Sequence, residues 1–340
     1  MKVTVYSAQP YDERFFEETR LEGLADVPFE LIYQRVALSR QTTALAEGSD
    51  AVCVFVNDVL DESVLEALAD MGVKAIVLRC AGFNNVDLAA AERLGFFVAR
   101  VPAYSPEAVA EHALALALTL NRHTHRAFNR VREGNFALEG LLGMTMQGKT
   151  VGIIGTGRIG LATARIFRGL GCRVLGSDPF PAPAFKDIGE IVALETLLSQ
   201  ADIVSLHCPL LEATHHLIDE ASLERMKPGA MLINTSRGAL IDTRAVIEAL
   251  KSRQLGALGI DVYEQESGLF FQDHSSEIID DDIFMRLMTF PNVLVTGHQG
   301  FFTVEALREI AQVTFQNLLC LMRGEHCDNA LIAREARALS

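Results

Sequence analysis

At 340 residues the chain exceeds one ordinary domain and suits two, each with its own core. A formal net charge of −14, with acids spread along the chain, disfavours a nucleic-acid partner, and no apolar run is long enough to span a bilayer. There is no basic leader, no C-x-x-C pair among the six cysteines and no zinc-like histidine spacing, so a reduced cytoplasmic protein with no metal is expected.

From the N-terminus, apolar runs alternate with helix-like segments. Strands are predicted at 3–7, 29–33, 51–56, 74–78 and 96–98, with helices near 12–21, 63–70 and 88–93; such alternation means βα units and a parallel sheet. After Val101-Pro-Ala-Tyr-Ser-Pro106, Ser105 can cap a long helix with Pro106 and Glu107 in its first turn. Residues 108–120, interrupted by Glu111 and His112, are Ala- and Leu-rich on nearly every side. One sheet should not cover them all, so the helix is expected to be buried between the domains or, the favoured reading, against a second subunit.

The stretch from Lys149 to Gly160 couples a buried strand to a turn and a helix. Gly155, Gly157 and Gly160 have G-x-G-x-x-G spacing: a tight turn, close backbone approach to a pyrophosphate, and close helix–strand packing. The helix beginning near Arg158 aims its free N–H groups at that pyrophosphate. A second strand, 172–177, ends at Asp178, 18 residues past Gly160. A carboxylate there accepts hydrogen bonds from the ribose hydroxyls and repels a 2′-phosphate, and Pro179 and Phe180 offer no compensating cation. NAD rather than NADP is the expected cofactor.

Beyond Asp178 the alternation resumes, with strands at 203–207, 230–234, 257–260 and 293–296 and helices near 194–200, 219–226, 243–252 and 282–288. A last helix, 304–322, returns to the first domain, which gives a discontinuous domain 1–101 with 299–340 and a second domain 102–298. The loop 267–282 contains Phe270, Phe271 and an acidic run at 280–282, and that run reads as solvated surface with a helix cap.

Open α/β sheets bind ligands beyond the carboxyl ends of their strands. Arg237, Asp261, Glu264, Glu266 and His298 all stand there. They suit hydride transfer between NAD and a 2-keto or 2-hydroxy acid. Ketone reduction needs a proton donor, the role of His298, and a carboxylate beside an imidazole favours its charged form. Either Glu264 or Glu266 can supply that carboxylate. The planar fork of Arg237 suits a substrate carboxylate, and Asp261 suits the nicotinamide amide.

Arg79-Cys-Ala-Gly-Phe-Asn-Asn-Val-Asp87, Val101–Pro106, the glycine motif, His207-Cys-Pro-Leu210, the run Met226–Gly238, Asp261-Val-Tyr-Glu-Gln-Glu266 and Gly297-His-Gln-Gly-Phe-Phe-Thr303 resemble the D-isomer-specific 2-hydroxyacid dehydrogenases nearly end to end, most closely the bacterial fermentative D-lactate dehydrogenases. The resemblance implies two doubly wound parallel-sheet α/β domains, a Rossmann NAD-binding domain and a flavodoxin-like substrate domain. It implies the catalytic set Arg237, Glu266 and His298, thereby choosing Glu266 over Glu264. It further implies Ala81 and Gly82 N–H groups on the substrate carboxylate and Tyr104 and Phe301 around a pyruvate methyl group. Arg158, Ile159, Asp178, Cys208, Pro209, Thr214, Thr235, Ser236 and Asp261 then lie around NAD. The apolar helix after Ser105, for its part, predicts a homodimer or dimer-based homo-oligomer with that helix in the interface. Gly300 stands where the family commonly has alanine, which predicts added backbone freedom beside His298. Hydroxypyruvate, phosphoglycerate or phenylpyruvate dehydrogenases and an NAD-sensing corepressor share the fold. The chain has no regulatory C-terminal domain of the phosphoglycerate type, a formate dehydrogenase would carry glutamine at 266, and turnover separates an enzyme from a corepressor.

Overall fold

The first apolar runs become β1 (Lys2–Val5), β2 (Glu30–Tyr33), β3 (Ala51–Val54), β4 (Ala75–Leu78) and β5 (Phe97–Arg100), and between them lie α1 (Pro10–Gly23), α2 (Glu62–Asp70) and α3 (Leu88–Arg93). The computed structural model describes residues 1–23, 29–266 and 268–332. Contacts divide the chain into two units, Met1–Ser105 with Phe302–Ser340, and Pro106–Phe301. In the first, β3 and β4 are buried at every position, as strands covered on both faces must be. Asp61 and Asp87 cap α2 and α3 by accepting from the N–H groups of Val64 and Ala90. The parallel strands run in the order 2-1-3-4-5, that of a flavodoxin-like doubly wound sheet.

The second unit contains α4 (Pro106–Arg122), α5 (Thr124–Arg132), β6 (Thr150–Ile154), α6 (Arg158–Gly169), β7 (Arg173–Ser177), β8 (Glu190–Ile191), α7 (Leu194–Gln200), β9 (Ile203–Leu206), α8 (Glu220–Arg225), β10 (Ala230–Asn234), α9 (Thr243–Ser252), β11 (Leu255–Ile260), α10 (Asp282–Met288) and β12 (Val293–Val295). All seven strands are parallel, in the order β12-β11-β10-β9-β6-β7-β8. This is the Rossmann order with one strand added, and its switch point lies between β6 and β9, next to the glycine turn. One apolar cluster includes Leu197, Val204, Leu232 and Val246; a second includes Leu116, Ala117, Val151, Phe167 and Ile233.

The chain then returns to the first unit through α11 (Val304–Arg323), capped by Thr303 and stopped at Gly324 with φ +66°. There β13 (Ala330–Ile332) pairs antiparallel with β5 as an edge strand.

One face of α4, the helix expected to meet a second subunit, is covered by its own unit: Ala113, Leu116, Ala117 and Leu120 belong to the cluster containing Phe167 and Ile233, while Glu107, Glu111, Ala115 and Arg122 are exposed. A Cβ at Gly259 of β11 would come within 3.0 Å of Leu120, so the sheet lets this helix approach closely and cover more of itself. The uncovered apolar residues come just afterwards. None of α5 is buried, and Phe128, Val131, Phe136, Leu138 and Leu142 are exposed.

Candidate active site

The glycine turn follows β6. Gly155 has φ +90°, and a Cβ there would lie 2.6 Å from the Cys208 nitrogen; a Cβ at Gly160 would lie 1.9 Å from the Gly155 oxygen. Those two glycines close the turn against protein. Gly157 faces open space and is the N-cap of α6, which no side chain caps, so the donors of the first turn, at exposed Arg158 and half-buried Ile159, are available to an anion.

Asp178 stands just past β7. Its Oδ2 accepts from the Thr156 N–H (2.7 Å) and hydroxyl (3.2 Å), and its Oδ1 from the Phe180 N–H (2.8 Å), which fixes a half-buried carboxylate beside the turn. Ser236 donates to the Cys208 carbonyl (2.7 Å), tying the end of β10 to that of β9. Burial pushes the Cys208 thiol up to about 11. Thr214 donates to the Pro209 carbonyl and accepts from Leu211, which makes this loop self-contained. The buried Thr235 hydroxyl has no hydrogen-bond partner among the described residues. An uncapped helix, an open glycine, a fixed carboxylate and an unpartnered buried hydroxyl fit a dinucleotide.

The groups suited to chemistry lie in the same unit. His298 Nδ1 is 2.9 Å from Glu266 Oε1, while Oε2 accepts the Tyr263 N–H at 3.1 Å. Nδ1 therefore carries a hydrogen, and Nε2 is left for proton exchange. Glu264 is occupied elsewhere: it holds His216 Nε2 at 2.7 Å and accepts from the N–H and hydroxyl of Thr243. The two acids that local sequence left unresolved are thus separated by their partners. Arg237 donates from Nη1 to the Ser236 carbonyl (2.7 Å) and pairs with no carboxylate among the described residues.

Asp261, expected at the nicotinamide, is 1% exposed and turned to protein donors. Its Oδ1 accepts from the Thr296 hydroxyl and the Gln299 N–H (2.9 Å), its Oδ2 from the Gly300 N–H (2.7 Å), and its main-chain oxygen from the His298 N–H (2.8 Å). Burial alone would raise its carboxyl; hydrogen bonds from His112 and Thr296 outweigh that and hold it below the usual carboxylate range. The expected freedom at Gly300 is also corrected. Its N–H is fixed, and a Cβ would meet Asp261 Oδ2 at 3.0 Å, so this glycine supplies space for the hydrogen bond. Sequence reasoning gave no role to His112, to Thr296, or to Phe271, whose ring lies 5.8 Å from that of His298.

In the first unit, the N–H groups of Ala81 and Gly82 have no acceptor among the described residues. Their carbonyls are turned to protein donors, Arg100 Nη1 (2.6 Å) and the Cys80 thiol (3.3 Å). Just before them Arg79, 2% exposed, bonds Asp12 and the carbonyls of Tyr6 and Ser7. Tyr104 is partly buried in this unit, and Phe301 is buried in the other.

The model of the D-isomer specific 2-hydroxyacid dehydrogenase NAD binding domain matches residues 114–300, which hold the glycine turn, Asp178, Arg237, Glu266 and His298. The chain belongs to this family. D-lactate dehydrogenase of Escherichia coli is 54% identical over 333 residues, 98% of this chain and 100% of the relative. 2-Hydroxyacid dehydrogenase A of Aspergillus oryzae is 60% identical over 332 residues, 98% and 95% of the two chains. Among solved structures, apo D-lactate dehydrogenase from Escherichia coli matches with a TM-score of 0.88 at 51% identity, covering 98% of this chain and 100% of that one. D-lactate dehydrogenase with NAD+ from Lactobacillus jensenii matches with a TM-score of 0.81 at 33% identity, covering 98% and 100%. This 2-hydroxyacid dehydrogenase is an NAD-dependent oxidoreductase, and Pro106–Phe301 contains its NAD-binding domain.

Proposed function

We propose that this dehydrogenase interconverts pyruvate and D-lactate with His298 as proton donor and acceptor. The observation that carries the reading is the Glu266-held imidazole, its Nε2 left for exchange, in the same unit as an arginine that no carboxylate among the described residues neutralises. The relative from Escherichia coli, named D-lactate dehydrogenase, supports the substrate. When bound in its reduced form, NAD supplies the hydride. Arg237 holds the substrate carboxylate in its fork and polarises the adjacent carbonyl. The N–H groups of Ala81 and Gly82 are further donors for that carboxylate, and Tyr104 and Phe301 confine the methyl group. His298 Nε2 gives its proton to the carbonyl oxygen and takes it back in the reverse direction, while Glu266 stabilises the imidazolium. Around the cofactor, Asp178 takes the ribose hydroxyls and the turn at Gly155, Gly157 and Gly160 the pyrophosphate. The first unit serves as the substrate domain. The D hand rests on family resemblance, so the deciding measurement is NADH consumption with pyruvate followed by chiral analysis of the product. L-lactate, no turnover, or a higher kcat/KM with phenylpyruvate would overturn the assignment.

The functional form in this proposal is a dimer-based homo-oligomer in the cytoplasm. Six cysteines held as thiols, five of them buried, suit a reducing compartment. Phe136, Leu138 and Leu142, 74%, 82% and 92% exposed, follow α5, none of whose residues is buried, and offer an apolar surface that suits a second copy of the chain. Sedimentation should show a dimer or larger assembly that dissociates in the doubly substituted Phe136→Asp, Leu142→Asp protein. A monomeric wild type at micromolar concentration would remove this part of the proposal.

A further inference from the structure

We propose that His112 is a positioning residue for the reaction, acting through Thr296 and Asp261 on the turn that carries His298. The inference rests on the reading of His298 as the proton-transfer group. Thr296 gives its only hydroxyl hydrogen to Asp261 Oδ1, so His112 Nε2, 2.9 Å from that hydroxyl oxygen, is the donor. The same nitrogen is 3.3 Å from Asp261 Oδ1. One imidazole N–H thus bridges the Thr296 hydroxyl and a carboxylate that is almost sealed from water, with side-chain exposures of 16% for His112 and 2% for Asp261.

What Asp261 does with that support is specific. It accepts the N–H groups of Gln299 and Gly300 on its side chain and that of His298 on its main chain, and so grips three successive residues. His298 has φ +54°, in the left-handed region that a non-glycine residue leaves unless its surroundings hold it there. The His112 ring also packs on this turn, since a Cβ at Gly300 would lie 3.5 Å from His112 Cδ2. His112 is in turn fixed by α4, whose next residues, Ala113 and Leu116, are buried in the apolar cluster. Helix, imidazole, carboxylate and turn form one chain of contacts that ends at the proton-transfer group.

Three substitutions test it. His112→Leu removes the donor, Thr296→Val removes the bridging hydroxyl, and His112→Gln restores an N–H at similar reach. The leucine and valine variants should each lose about 10- to 100-fold in kcat while KM for pyruvate and NADH affinity stay within about threefold, and glutamine should recover most of the rate. In protein labelled with nitrogen-15 histidine, the His298 Nδ1–H signal, assigned by its loss in His298→Gln, should broaden or exchange faster in the leucine variant. Wild-type kcat in His112→Leu, or a glutamine variant as slow as the leucine one, would overturn the proposal. If His112→Leu does not fold, Thr296→Val decides by the same measures. The resonance measurement needs no turnover: a wild type that reduces no 2-keto acid sinks the proposed function, whereas an unmoved His298 signal sinks this inference alone.

Discussion

Replacing Glu266 by glutamine keeps the size of the side chain and breaks a donor–acceptor match. Glu266 accepts two hydrogens, from His298 Nδ1 at 2.9 Å and from the Tyr263 N–H at 3.1 Å. Glutamine offers one oxygen and one NH2 group. The peptide N–H cannot move, but an imidazole can change tautomer, so the oxygen should stay on Tyr263 and His298 should shift its hydrogen to Nε2. A neutral His298 protonated at Nε2 cannot accept a proton from D-lactate. The attraction that supports the imidazolium is lost as well, about 6 kcal/mol for unit charges at this separation and an effective dielectric of about 20, before desolvation is subtracted. If half survives, kcat falls about 100-fold, and the wrong tautomer carries the loss toward about 10,000-fold, the magnitude known for the equivalent change in a serine-protease triad. Steady-state kcat in both directions, with NADH affinity measured separately, is the assay. Lactate oxidation should suffer at least as much as pyruvate reduction. Oxidation at the wild-type rate, or a loss explained by weaker NADH binding, would refute the reasoning.

Asp178→Ser should narrow the preference for NADH over NADPH, because a carboxylate about 5 Å from a 2′-phosphate dianion opposes it by about 2–7 kcal/mol across dielectrics of about 80 to 20; kcat/KM with each cofactor measures this, and a wild type indifferent to the phosphate removes the role. Arg237→Lys keeps the charge and loses the two-pronged geometry, so kcat/KM for pyruvate should fall about 100-fold or more, and an unchanged value would show that no fork is used. His207, half-buried with Nε2 2.8 Å from the Ser205 hydroxyl, loses hydration and is held down to about 3. Its folded value lies below the unfolded one, so the stability it permits is complete above about pH 6.5 and is lost as pH falls toward about 3; with partial exposure discounted, about 1–2 kcal/mol is gone at pH 5. His207→Gln should flatten the fall in denaturation midpoint between about pH 7 and 5, and an unaltered slope would assign the acid sensitivity to other groups.

What the sequence made legible follows from how local each signal is. Continuous apolar runs at 51–54, 75–78 and 230–234 announced strands buried on both faces, and the three glycines were readable because each answers a steric demand within a few residues. The two-residue β8 and the edge strand β13 were missed because their pairing partners, not their own composition, make them strands. α5 escaped notice because none of its residues is buried, leaving no apolar stripe committed to a core. Glu264 and Glu266 are two residues apart in one loop; only their contacts, His216 and Thr243 against His298 and Tyr263, tell them apart. His112 read as an interruption in an apolar helix, and the residue that gives it a purpose, Thr296, is 184 positions away.

Asp261 is where the position of a residue and its environment point to different roles, and Asp261→Asn separates them. A group that orients the cofactor should lose NADH affinity first when its charge is removed. The geometry argues for another order of events. Asp261 accepts from the Thr296 hydroxyl, the Gln299 N–H and the Gly300 N–H, with His112 Nε2 close by, and it is almost without solvent. Asparagine has one oxygen for these donors, so its NH2 must face at least one N–H, and a buried mismatch of that kind costs about 1–3 kcal/mol. Relief comes from movement of the 297–300 turn, the segment with least regular structure to resist and the one that holds His298 at positive φ. The loss should therefore fall on kcat, at about 10- to 100-fold, with NADH affinity changed by less than about threefold. A variant that binds NADH much more weakly yet turns over at the wild-type rate when saturated would return Asp261 to the cofactor.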